Sequence, residues 1–289
     1  MPSKLQFRDA YLQRLGHAQP PPPTLDTLRE LQQRHTAEFP FETLSTLLGE
    51  PVPLDLPALE RKLLHDRRGG YCYELNGLFM ALLRELGYEV RALAGRVVMD
   101  GGADAARTHL LLLVTVDGVR HLADVGFGGL VPTAPLLLDD RGEQATPHES
   151  YRLDHDDGEY ALHARVMGEW RPLYRFDLQP QSAVDCEVGN WYVSTHPASP
   201  FLGHLRAART GPGIRKVLLN GRYSLHRIGE RSERRELPDA DAVLEVLGRE
   251  FDLHPPQDPG LREAIARRIE QDRLAEGAAQ RPHAATVRA

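Results

Sequence analysis

The chain has 289 residues, 41% of them hydrophobic and 26% charged, with a formal net charge of −6. That balance builds folded domains rather than a disordered chain. The acidic excess argues against a nucleic-acid partner, although a local basic patch could still hold an anionic cofactor. Two cysteines, Cys72 and Cys186, are too few for a disulfide framework and form no CxxC pair, so no metal is assigned. The polar start lacks a signal-peptide core, and the longest apolar run, Leu110 to Val114, is too short to span a membrane. No membrane partner is expected, and a reducing cytoplasm is the expected compartment.

The first 89 residues read as helical. Phe7, Tyr11, Leu12 and Leu15 recur at helical spacing before Gly16. After the break at Pro20 to Pro23, Thr24 caps a second helix bearing Leu25, Leu28 and Leu31. Residues 38–53 read as irregular or short-helical. Asp55 caps a third helix, with Pro57 in its first turn and Leu59, Leu63 and Leu64 along it. Behind Gly69-Gly70 comes the strongest amphipathic pattern, Leu75, Leu78, Phe79, Leu82, Leu83 and Leu86, closed by Gly87.

From about Tyr88 the period shortens to two. Runs at 88–99, 108–116, 119–125, 149–155, 159–166, 169–177 and 190–195 read as strands with short connections, which predicts an antiparallel region. Cys186 is expected in a strand-like run as well. Beyond Pro200, residues 213–228 read as strands and 240–252 and 260–277 as helices. The stretch ERSERRE at 230–236 reads as solvated surface, and the tail after Ala278 as loose.

A free cysteine is ordinarily a buried small hydrophobe, but Cys72 has a different setting. Two glycines let the backbone turn sharply, and Cys72 then falls in the first turn of a helix. There, unpaired N–H groups and the helix dipole favour negative charge on sulfur and could also hold an oxyanion. Leu75, Asn76 and Phe79 share its face, which turns the sulfur inward.

The run THLLLLVTVDGVRHLADVGFGG supplies a partner. Asp117-Gly118 between two apolar runs predicts a two-residue hairpin turn with Val116 facing Val119. Counting back from the turn, His109 lies opposite Gly126 and Asp124 opposite Leu111. The two polar side chains then share a face as diagonal neighbours, about 7–8 Å apart at the backbone. His121, three residues from Asp124, belongs to the other face and is expected to meet solvent. A cysteine at a helix start with a histidine and an aspartate on adjacent strands is the arrangement of an activated nucleophile. VGFGG alone reads as a tight turn after a strand rather than a phosphate loop.

These residues carry a family resemblance. RGGYCYELN resembles the Arg-Gly-Gly-x-Cys-x-Glu-x-Asn signature of arylamine N-acetyltransferases at Arg68, Gly69, Gly70, Cys72, Glu74 and Asn76. THLLLLV and LADVGFGG are similar to that family's His and Asp segments. FPFETLSTLLG, NWYVSTHPASPF and LLNGRYSLH resemble further blocks, so the likeness runs from about residue 5 to 255.

The resemblance implies an α+β fold in three parts. These are a helical bundle carrying the cysteine (1–89), an antiparallel β-barrel-like domain carrying His109 and Asp124 (90–205) and an α/β lid (206–289), the first two together papain-like. It implies an acyltransferase of xenobiotic metabolism. Acetyl would pass from acetyl-CoA, the co-substrate, through a Cys72 thioester to an arylamine, arylhydrazine or arylhydroxylamine, with no metal, in a monomer or homodimer. Phe39, Phe41, Phe127 and Phe201 would line the acceptor pocket and Gly126 and Gly128 the CoA arm. Arg68 and Glu74 would be structural ion-pair residues, and Leu75 a core residue. Two other readings use the same triad: a cysteine hydrolase, and an amide synthase that closes a polyketide macrolactam.

Overall fold

Helices fill the first third of the chain, as the apolar spacing predicts. The computed structural model describes residues 4–99 and 105–279. Helix α1 (Lys4–Arg14) is followed by Gly16 at φ +80°, a left-handed turn that glycine adopts without strain. Thr24 caps α2 (Leu25–Glu38) by accepting from the Thr27 N–H at 3.3 Å. The irregular stretch that follows resolves into strand β1 (Phe41–Glu42) and helix α3 (Leu44–Leu48). Asp55 caps α4 (Leu56–Leu59) as expected. The chain then widens into a π-turn over Glu60–His65 that the leucine spacing gave no sign of. Helix α5 (Cys72–Glu85) begins at the cysteine itself and buries Leu75, Leu78, Phe79, Leu82 and Leu83.

The central strands are β2 (Glu89–Val97), β3 (His109–Val116), β4 (Val119–Ala123), β5 (Leu136–Leu137), β6 (Gln144–Ala145), β7 (Ser150–Asp156), β8 (Glu159–Val166) and β9 (Glu169–Phe176). They form an antiparallel sheet in the order β5-β4-β3-β2-β9-β8-β7-β6. The Gln144 side chain reaches across from one edge strand to the other, accepting from the Leu137 N–H (2.7 Å) and donating to its carbonyl (3.0 Å). The sheet is thereby nearly closed into a barrel. Leu111, Leu113, Leu122, Tyr151, Leu162 and Tyr174 pack inside one cluster. The opposite face of β3, with Leu112 and Val114, packs on Leu28, Leu31, Leu75 and Phe79 of the helices. Each such leucine contributes about 1.5–3 kcal/mol by leaving water.

Helix α6 (Ala183–Thr195) corrects the reading of 190–195, and of the run around Cys186, as strand. Ser182 and Asp185 cap one another's backbone N–H groups at 3.2 and 3.0 Å, a capping box that starts a helix despite the Val, Trp, Tyr and Thr in it. Then come β10 (Arg206–Gly211), β11 (Ile214–Leu219), β12 (Arg222–Arg227) and β13 (Glu233–Glu236), joined by β1 in the order β1-β10-β11-β12-β13. Strand β13 lies within the stretch read as solvated surface; it is exposed throughout but pairs with β12. Helices α7 (Ala240–Phe251) and α8 (Pro259–Ala279) cover the sheet face that carries Leu218 and Tyr223. The segment beyond Ala279, read as loose, lies outside the described residues. No helix among the described residues is long and apolar enough to cross a membrane.

Candidate active site

The loop before α5 is fixed by glycine. A Cβ on Gly69 would meet the Pro40 carbonyl oxygen at 2.1 Å, so only glycine allows the backbone this approach. Gly70 bridges Phe41 in parallel, and its carbonyl accepts from the Glu42 N–H at 3.0 Å. Arg68 donates to Glu42 (Nε–Oε1 2.9 Å), and both are buried. Glu74 pairs with Lys62 (2.5 Å) and accepts from the Tyr71 N–H (3.1 Å). The two signature ionisable residues therefore sit in separate pairs. The Glu74 charge, two residues from Cys72, is met by Lys62. Burial still pushes its carboxyl above the usual range, against the pull of Lys62.

The hairpin forms in the expected register. Asp117 (φ +51°) and Gly118 (φ +77°) make the turn, Val116 faces Val119 and Leu112 faces Ala123. The ladder stops there, so Asp124 sits just past the end of β4 rather than within it. His109 Nε2 is 2.7 Å from Asp124 Oδ2, and both are buried. Nδ1 is left free of Asp124, and the Cys72 thiol, close enough to raise the ring's basicity, donates to the Thr108 carbonyl at 3.7 Å. Burial disfavours the imidazolium. The Asp124 charge and hydrogen bond and the neighbouring Cys72 outweigh it and raise His109 to about 10. Burial likewise resists ionisation of Asp124, yet His109, Asn76 and the Gly126 N–H hold its carboxyl below the usual range.

A cavity of about 1230 Å³ opens onto Cys72 and His109. Phe41, Phe127 and Phe201 line it, as do Gly126 and Gly128. Phe127 stands edge-on to His109 (centroids 5.0 Å) and Phe201 edge-on to Phe41 (5.8 Å). Phe39 is not there. It is buried among Tyr11, His35 and the Arg14 guanidinium, because α2 ends beside it and turns it into the helical core. His121 does face away from Asp124, but it is buried rather than solvent-facing. Its strand mate Val114 packs on the helices, which cover that side too. Cys186 is half-buried on α6, and burial pushes its thiol up to about 11. Leu75 is fully buried in the core. Among the described residues no cluster of His, Cys, Asp or Glu could hold a metal ion.

Two further residues complete the site. Tyr174 on β9 donates to Asp124 Oδ2 at 2.9 Å. Asn76 Nδ2 donates to Asp124 Oδ1 (2.9 Å) and to the Leu110 carbonyl (2.7 Å), while its Oδ1 accepts from the Val125 N–H (2.9 Å). Asn76 follows Cys72 by one helical turn, so the spacing to the cysteine was a usable signal. Tyr174 reaches the site through the pairing of β2 with β9, which no local turn announces.

A cysteine at a helix start and a buried histidine–aspartate pair thus open onto one large cavity. A family model described as N-acetyltransferase matches residues 24–257. The arylamine N-acetyltransferase of Mycolicibacterium smegmatis is 44% identical, covering 84% of this chain and 90% of its own. The arylamine N-acetyltransferase / N-hydroxyarylamine O-acetyltransferase of Salmonella typhimurium is 42% identical over 86% of this chain and 89% of its own. The solved structure of Mycobacterium marinum arylamine N-acetyltransferase in complex with CoA superposes with a TM-score of 0.84 at 44% identity, over 91% of this chain and 98% of that one. The chain belongs to the arylamine N-acetyltransferase family.

Proposed function

We propose that the protein transfers acetyl from acetyl-CoA to the nitrogen of an arylamine, arylhydrazine or arylhydroxylamine, in two half-reactions through a Cys72 thioester. The observation that carries this reading is the buried His109–Asp124 pair, 2.7 Å apart, whose ring lines one cavity together with Cys72 at the start of α5. In the first half-reaction His109 takes the thiol proton, and the sulfur attacks the thioester carbonyl. N–H groups in the first turn of α5 face the developing oxyanion. The tetrahedral adduct collapses, the CoA sulfur leaves with the proton from His109, and acetyl remains on Cys72. In the second, the amine nitrogen attacks that acetyl and gives its proton to His109. The Cys72–carbonyl bond breaks and the thiol is restored. Asp124 fixes the ring with Nδ1 toward sulfur throughout.

The cavity suits both substrates. It exceeds the roughly 300–1,000 Å³ of a drug-sized pocket. Its wall carries six arginines against three glutamates in a chain of net charge −6, a local field that favours the phosphates of CoA. Phe41, Phe127 and Phe201 offer aromatic faces to the acceptor ring. Two free cysteines fit a reducing cytoplasm, where we place the activity.

Intact-mass analysis after incubation with acetyl-CoA, without amine, tests the reading. One acetyl group is expected on Cys72 and none on Cys186, and an added arylamine should discharge it. Absence of the Cys72 adduct while acetyl-CoA is consumed would overturn the mechanism.

A further inference from the structure

A second cavity, of about 410 Å³, lies between α2 and the β3–β4 hairpin and shares no lining residue with the one that opens onto Cys72. Its size falls in the roughly 300–1,000 Å³ range of small-molecule pockets. Leu25 and Arg29 of α2 form one side, Val119 and His121 of β4 another, and Leu136 and Leu137 of β5 a third. These walls are tied together. Gln32, about one turn beyond Arg29 on α2, donates to the Pro132 carbonyl at 2.8 Å and to the Asp124 carbonyl at 3.3 Å, which fixes the helix to the chain between β4 and β5. Gln144 holds β5 to β6 through its two hydrogen bonds with Leu137. A cavity with fixed walls needs little ordering to bind.

Two observations point to an occupant. Val119, His121 and Leu137 share one sheet face, His121 and Leu137 as direct cross-strand partners. Val119 and Leu137 are 45% and 37% exposed, so a ligand ring seated there would take both from water. His121 between them is only 5% exposed. Its Nδ1 stands 3.1 Å from the Val119 carbonyl, and since a carbonyl can only accept, Nδ1 carries the ring proton. Nε2 is then a lone-pair acceptor that no described residue fills. Burial, with the nearby charge of Arg29, holds the ring's pKa below the usual range against the pull of the Val119 carbonyl, so the ring is neutral.

The polar groups select the ligand. Arg29 gives Nη1 to Asp26 at 2.9 Å and has further N–H groups to donate, while Asp117 on the same wall balances its charge. A carboxylate would set a negative oxygen against the Nε2 lone pair. An aromatic amine would give Arg29 a poor acceptor. An aromatic hydroxyl donates to Nε2 and accepts from Arg29 while its ring covers Val119 and Leu137. We infer that this cavity is a second ligand site, taking a neutral phenol of one or two rings with its hydroxyl on His121 Nε2. The site uses no residue of the proposed acyl transfer and is decided separately from it.

The test titrates phenol, anisole and benzoate in turn into the wild-type protein near neutral pH, where phenol keeps its proton. Carbon-13 shifts of the Val119 and Leu137 methyls and the nitrogen-15 shift of His121 Nε2 report this cavity and not the catalytic one. Phenol should move all of them saturably. Anisole, which lacks the donor, should bind about three- to tenfold more weakly, the worth of one neutral hydrogen bond. Benzoate should bind more weakly still. In His121→Phe, which keeps a ring and loses the acceptor, phenol should lose its advantage over anisole. The site is overturned if phenol gives no saturable shift, if anisole or benzoate binds the wild type as tightly as phenol, or if His121→Phe keeps the preference for phenol. The three-ligand comparison needs only the wild type, and decides the question alone should the variant not fold.

Discussion

Asp124→Asn changes one atom and no shape, which makes it the sharpest probe of the site. Each carboxylate oxygen of Asp124 accepts twice. Oδ1 takes Asn76 Nδ2 and the Gly126 N–H, and Oδ2 takes His109 and the Tyr174 hydroxyl. An amide must aim its NH₂ at one of these donor pairs. The Gly126 N–H and the Asn76 amide cannot become acceptors there, because Asn76 Oδ1 is already engaged with the Val125 N–H. The NH₂ is therefore driven toward His109 and Tyr174, where the hydroxyl can rotate and the ring can accept at Nε2. That moves the ring proton to Nδ1, the nitrogen that must receive the thiol proton. The comparable substitution in a serine triad costs about 10⁴ in turnover, and a thiol, which gives up its proton more easily, should lose about 10³. Stopped-flow acetylation of Cys72 and steady-state kcat read the loss. Nitrogen-15 spectra of the His109 ring read the tautomer. A loss below tenfold, or an Nε2-protonated ring in the variant, would refute the reasoning.

Further outcomes follow from the same geometry. His109 is raised from 6.5 to about 10, so its pair with Asp124 stabilises the fold fully below pH 6.5 and loses that contribution as pH rises through 10. Asp124 is shifted below 3.8, so its own contribution holds above that pH and fades only as pH falls through the lowered value. The melting-temperature gap between wild type and His109→Gln should therefore narrow between pH 6.5 and 10; a constant gap would contradict the ion pair. Gly126→Ala places a Cβ 2.7 Å from Cys72 Cα and 2.8 Å from Asn76 Nδ2, and should displace the nucleophile. kcat should fall about 10²-fold, the cost of roughly 1 Å of misplacement, and unchanged kinetics would show that the contact yields. Arg68→Met leaves Glu42 buried and unpaired and should cost about 3–5 kcal/mol in denaturant unfolding. His121→Leu should leave kcat within a few-fold of wild type, since its ring faces away from the thiol; a large loss would reverse the assignment of faces.

The parts of the site that sequence revealed are those set by short-range rules. The Asp117-Gly118 turn fixed the register, and parity then put His109 and Asp124 on one face. The glycine pair and the leucine spacing placed Cys72 at a helix start. What escaped depended on distant packing. Parity assigned His121 its face but could not say that helices cover it. Phe39 and Phe41 are two residues apart in one motif, yet only the orientation of the chain leaving α2 sends one to the core and the other to the cavity. Around Cys186, β-favouring composition hid a helix whose start signal, Ser182 with Asp185, was present in the sequence. Tyr174 belongs to the site through a strand pairing across more than seventy residues, for which no local pattern exists.

Strand β1 pairs at once with Gly70, in the loop before the nucleophile, and with β10, since Phe41 faces both Gly70 and Ala208. The cysteine loop is therefore not in its final position until residues near 208 have been made and folded back across it. During synthesis, which delivers the N-terminal helices first, Cys72 emerges well before His109 and Asp124, and the cavity wall on β11 and β12 comes last.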